Sequence, residues 1–100
     1  MVTAFDVDGY RLSYRAKTSD AVHLITLCNG TKAVAELYFR PDGTTLPSNE
    51  IVGGVIRLIY HFKDFQNIFD IVLRVRPLKV VFNSSSSVFS GLTTPQIIPL

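Results

Sequence analysis

The sequence predicts an α+β fold, an antiparallel β-meander of about five strands, one amphipathic helix near residues 63–75, and one or two further strands. Three observations carry this reading. Apolar and polar residues alternate along Lys32 to Arg40, as a half-buried strand requires. Turn dipeptides, Asp8-Gly9 and Asn29-Gly30, separate strand-like runs. A single segment, Phe65, Ile68, Phe69, Val72 and Leu73, has the three- and four-residue apolar spacing of a helix. The 100 residues suit one domain spanning 1–100.

Taken in order, Thr3 to Val7 and Tyr10 to Arg15 read as two strands joined by a hairpin turn at Asp8-Gly9. A polar break at Lys17-Thr18-Ser19 precedes a third strand, Ala21 to Cys28, which Asn29-Gly30 ends with a second turn. In the fourth strand, Lys32 to Arg40, the alternation puts Ala33, Ala35, Leu37 and Phe39 on a core face. Lys32, Val34, Glu36, Tyr38 and Arg40 then occupy the other. Pro41-Asp42-Gly43 begins a loop that runs to Asn49. Val55 to Phe62 is rich in β-branched and aromatic residues and reads as a fifth strand, with Gly53-Gly54 as a bulge or bend. A helix over Glu50 to Tyr60 competes, but two adjacent glycines cost it roughly 2 kcal/mol.

Asp64 stands where a helix N-cap would be, Arg74 and Arg76 lie near the C-terminal end, and Pro77 stops the helix. Leu78 to Phe82 resumes a strand, Asn83 and four serines form a mobile loop, and Val88 to Thr94 suggests a final short strand. Residues 95–100 read as an apolar, proline-broken tail that frays or docks. One helix is too narrow to cover five or six strands spaced about 4.8 Å apart. That mismatch, with 47% hydrophobic residues in so short a chain, points to a homo-oligomer, a dimer by preference, joined through an uncovered sheet or its edge.

No run approaches the roughly 20 apolar residues of a membrane helix. Met1-Val-Thr-Ala-Phe-Asp6 lacks the pattern of a secretory signal, so a cytoplasmic protein without membrane association is expected. Net charge is +2, from ten basic and eight acidic residues, too small a bias to announce a nucleic-acid binder by itself. Cys28 alone forms no intramolecular disulfide and fits a core position.

Candidate sites are few. Arg11, Arg15, Lys32, Arg40, Arg57 and Lys79, with Tyr38 among them, share the face opposite the core if the registers hold. Single-stranded nucleic-acid binders use such surfaces, cations following phosphates and rings stacking on bases. The ordinary reading is a solvated face, and Glu36 in its midst weakens the patch. His23 and His61 form a metal site only by converging with an acid such as Asp20 or Glu36, and no ligand spacing supports that. No signature pairs His61 with Cys28 as base and nucleophile. Asp6 and Asp8 beside a turn are hairpin chemistry before they are paired acids. Asn29-Gly-Thr31 and Asn83-Ser-Ser85 match the glycosylation pattern, but without a secretory signal they read as turn and loop residues. Gly53-Gly54 lacks the context of a phosphate-binding loop. We therefore read no catalytic residue, cofactor or metal.

Arg40-Pro-Asp-Gly-Thr-Thr-Leu-Pro-Ser-Asn49, the strand and helix after it, and Ser90-Gly-Leu-Thr-Thr94 resemble small uncharacterised bacterial proteins of similar length. That resemblance covers roughly the C-terminal half and implies no activity. The meander followed by a helix also resembles dimeric single-stranded DNA-binding proteins of the transcription-coactivator and Whirly kind, which place four strands before the helix where five are counted here. Three function classes follow: a non-enzymatic homo-oligomeric interaction module first, a single-stranded nucleic-acid binder second, and a small-ligand binder or enzyme third.

Overall fold

The computed structural model describes residues 2–14, 23–84 and 90–94. Arg15, Asp20, the serines of 85–89 and the tail 95–100 lie outside the described residues, so the readings made of them stay expectations. The chain is α+β, mostly strands: β1 (Val2–Val7), β2 (Gly9–Tyr14), β3 (His23–Asn29), β4 (Lys32–Arg40), β5 (Glu50–Val52) and β6 (Val55–His61). A 3₁₀ turn (Phe62–Asp64) leads into α1 (Phe65–Arg74), and β7 (Leu78–Asn83) and β8 (Gly91–Thr93) follow. Five strands form one sheet, in the order β2-β3-β4-β6-β5, and three form another, β1-β7-β8.

The fold class is the one the sequence predicts, but the pairing departs from a simple meander at two places. β1 does not pair with β2. It runs antiparallel to β7, from Val2 opposite Asn83 to Val7 opposite Leu78. Asp8 is the single residue between the two strands, and Gly9 lacks the positive φ that a two-residue hairpin turn requires. The chain therefore steps from one sheet to the other at Asp8. Its amide donates to the Cys28 carbonyl at 2.9 Å, and its Oδ1 accepts the Gly30 amide at 2.9 Å. Asp8 thus fastens the β3–β4 turn instead of making one of its own.

The second departure is that β4 and β6 are parallel, Ala35 opposite Ile56 through Arg40 opposite His61. Parallel neighbours need a long connection, and residues 41–54 supply it by way of β5. Gly53 and Gly54 are not a bulge but the tip of the β5–β6 hairpin. Val52 pairs with Val55, and both glycines have positive φ, 58° and 81°, the requirement of a primed two-residue turn.

A bulge does occur, in β4. Leu27 pairs with Ala35 but Cys28 with Ala33, so Val34 is an extra residue, and both Val34 and Ala35 are buried. Beyond the bulge the alternation is reversed, and Ala33 and Lys32 exchange the faces that unbroken period two assigns them.

The core lies between the five-stranded sheet, α1 and the three-stranded sheet. Ile25, Leu27, Leu37, Phe39, Ile56 and Leu58 come from the first, Val72 from α1, and Val7, Leu78 and Val80 from the last. Each such side chain contributes about 1.5–3 kcal/mol by leaving water. The second sheet shares the covering of the first with the helix, so the width mismatch is met within the chain and needs no dimer through the sheet face. Asp64 takes the N-cap position without a side-chain capping bond. At the other end the Arg76 guanidinium donates to the Val72 and Val75 carbonyls at 2.8 and 2.7 Å, satisfying acceptors that a helix terminus leaves open.

Candidate functional site

The face of the larger sheet turned away from the core gathers four of the residues singled out in the sequence. The strand registers align Arg11, Thr26, Glu36, Arg57 and Glu50 in one transverse row. Tyr38 and Arg40 follow Glu36 along β4 at two-residue intervals, on the same side. Lys32 is not with them, because the Val34 bulge turns it to the opposite side. Lys79 belongs to the smaller sheet and pairs with Asp6 at 2.8 Å.

Glu36 is the centre of this face. Its Oε1 accepts the Tyr38 hydroxyl at 2.9 Å and lies 3.4 Å from Arg57 Nε, an ion-pair contact and not an aligned hydrogen bond. Arg57 Nη1 also lies 3.5 Å from Glu50 Oε1. One arginine thus sits between two carboxylates, and the tyrosine hydroxyl is held by one of them. Of the other two cations on this face, Arg11 stands in the row of Glu36 and Arg40 lies four residues from Glu36 along β4.

The other sequence candidates do not converge. His23 lies on the core side, stacked on Phe62 with ring centroids 4.6 Å apart and tilted against Phe65 at 5.1 Å. His61 Nε2 meets the Thr44 carbonyl at 2.6 Å. Cys28 is half-buried on the side away from the core and pairs with Ala33, seven positions along β4 from the partner of His61. That is about 23 Å at the rise of a strand, far beyond proton-transfer reach. Asp6 binds Lys79 while Asp8 holds Gly30, so the two do not act as paired acids. Asn29 donates its side-chain amide to the Asp6 carbonyl at 3.1 Å. Among the described residues no three His, Cys, Asp or Glu side chains gather as a metal site.

Sequence reasoning names a sheet edge as a joining surface but misses which strands form the two lateral edges, β2 on one side and β5 beside β6 on the other. On the β6 side, β5 covers Val55 to Arg57, and the loop 41–49 binds the strand and the turn beyond it at three further points. Asn49 Oδ1 accepts the Ile59 amide at 2.9 Å, Thr44 meets His61, and Asp42 Oδ1 accepts the Lys63 amide at 2.7 Å. Tyr60, on the strand so covered, stacks on Phe39 at 5.6 Å. Burial, then the nearby Asp64 carboxylate, pushes its hydroxyl up to about 12 from 10.0, because both disfavour a phenolate.

On the β2 side the described residues contain no further strand. Leu12 stands opposite Ile25 on the core side, yet it is 50% exposed where Ile25 is fully buried. Beside it Tyr10 packs edge-on against Phe69, centroids 5.7 Å apart. Phe69 lies on a helix stripe with Phe62 and Leu73, which are 40% and 43% exposed. Tyr10, Leu12, Phe62 and Phe69, with Leu73 one turn beyond Phe69, make an apolar seam beside a strand that has no partner on this side among the described residues. No helix among the described residues is long and apolar enough to cross a membrane. No family model matches the chain, and neither the curated proteins nor the solved structures give a significant match.

Proposed function

We propose that this protein is a non-enzymatic interaction module that works as a homo-oligomer. The observation that carries the reading is the open β2 edge with its apolar seam. A row of unpaired backbone donors and acceptors is a template for another strand, and Tyr10, Leu12, Phe62 and Leu73 beside it supply surface that gains by leaving water. Among the described residues the edge strand Gly9–Tyr14 carries no proline and no charge on its core side, its one charge, Arg11, lying on the opposite face. Self-association leaves the loop 41–49 and the polar face clear for a macromolecular partner. Sedimentation across low to high micromolar concentration tests this, and a dimer is the expected result. A monomer throughout that range would overturn the reading.

A second reading, a cytoplasmic single-stranded nucleic-acid binder, draws on the common face of Arg11, Tyr38, Arg40 and Arg57, with Arg15 as a further expected member. The capture of Tyr38 and Arg57 by Glu36 counts against it. Fluorescence anisotropy with a mixed-sequence oligonucleotide decides: affinity that falls steeply with salt supports this reading, and no binding at low salt removes it.

A further inference from the structure

Resting on the self-association reading, we propose that two copies join through β2 as an antiparallel pair centred on Leu12, making one continuous ten-stranded sheet with both helices on the same side. The occupant is a second copy because the strand fits itself in this register. A two-fold axis between two residues opposes core-side to polar-side positions and breaks the alternation of both copies. An axis through Arg11 sets that arginine against its own copy, and like charges directly opposite destabilise a pair.

An axis through Leu12 avoids both faults. Leu12 meets the second copy's Leu12, and Arg11 meets the neutral Ser13 of the second copy. Position 10 meets position 14, so all of β2 but Gly9 takes part. The axis runs perpendicular to the sheet and keeps both apolar seams on one side.

The helices then complement each other end to end. Phe62 lies at the position-14 end of β2, because His23, the cross-strand partner of position 14, stacks on Phe62. Phe69 lies at the opposite end, against Tyr10. Antiparallel strands therefore bring Phe62 of one copy to the Phe69–Leu73 end of the other, twice over. The helix contact matters, because a five-residue strand pair alone falls short of the roughly 800 Å² per partner of a stable interface.

Cysteine cross-linking in a Cys28→Ala background tests the register, with sedimentation of the same background testing association itself. Leu12→Cys should oxidise readily to a covalent dimer, since opposite positions place Cβ atoms about 4.5–5.5 Å apart. Arg11→Cys alone should cross-link poorly, and Arg11→Cys combined with Ser13→Cys should cross-link well. Leu12→Lys, which puts two ammonium groups at the axis, should weaken association on the order of a hundred-fold with an unchanged circular-dichroism spectrum. A dimer that cross-links best through Arg11→Cys, or that survives Leu12→Lys, overturns the register and leaves self-association standing. A monomeric Cys28→Ala protein overturns both.

Discussion

The two edges of the larger sheet face the same physical problem and meet it differently. On the β6 side, a three-residue strand and a glycine turn cover Val55–Arg57, Asn49 takes up the Ile59 amide, and the same loop holds the His61 side chain and the Lys63 amide. On the β2 side, a six-residue strand ends the sheet among half-exposed apolar side chains. Closing an edge is the general means by which sheet proteins stay apart. One edge of this molecule is closed by its own chain, and the other is the one at which the proposed second copy would add.

The largest effect tests whether burial stops at β2. Ile25 and Leu12 are cross-strand partners, yet Ile25→Ala should cost about 2–5 kcal/mol by leaving a cavity. Leu12→Ala should cost the monomer less than about 1 kcal/mol. Urea unfolding of both variants, measured at concentrations low enough to keep the protein monomeric, compares them directly. Equal losses would mean that the β2 edge is covered and the contrast is false.

Next is the alkaline limit of the closed edge. The Tyr60 hydroxyl titrates near 12 when folded and 10.0 when unfolded, so its neutral form stabilises the fold below pH 10. That contribution, on the order of 2 kcal/mol, is lost as pH rises from 10 towards 12. Tyr60→Phe should flatten this part of the stability profile, read from urea midpoints at successive pH values. An unchanged slope would remove Tyr60 as its source.

Two smaller effects sharpen the description of the closure. At Gly54 an added Cβ meets nothing within 4 Å, so Gly54→Ala isolates the cost of φ +81°. About 1–2 kcal/mol is expected, from thermal unfolding. Asn49→Ala deprives the Ile59 amide of its acceptor, but water reaches this exposed site, so a loss of about 0.5–1 kcal/mol is expected. Faster hydrogen exchange at Ile59 would accompany it, and unchanged exchange would place the amide's protection elsewhere.

The parts legible in the sequence are those with a local cause. β4 spans the residues its alternation marks, and α1 lies where the Phe65–Leu73 spacing puts it, because both patterns report burial within one element. Asp8-Gly9 misleads because a turn dipeptide speaks only for its neighbours, while the partner of β1 lies more than 70 residues away. β5 escapes because three residues are too few to show a period. The bulge leaves no mark either: Val34 suits both faces, and only the pairing of Leu27 and Cys28 shows that Lys32 has changed sides. The pairing of Arg57 on β6 depends on two carboxylates, Glu36 and Glu50, that two other strands bring beside it.

The pairing of β1 with β7 also orders events in time. All five strands of the larger sheet are present once synthesis reaches His61, but Val2–Val7 must wait for Leu78–Asn83 before it has a partner. Until then the segment has its link to Asn29 and no ladder of its own. The contact between Asp6 and Lys79, 73 positions apart, belongs to the distant contacts that slow folding. A chain made only as far as His61 therefore holds every strand of the larger sheet with its core side bare where the second sheet will lie, and Val2–Val7, made before those strands, finds its partner strand only after them.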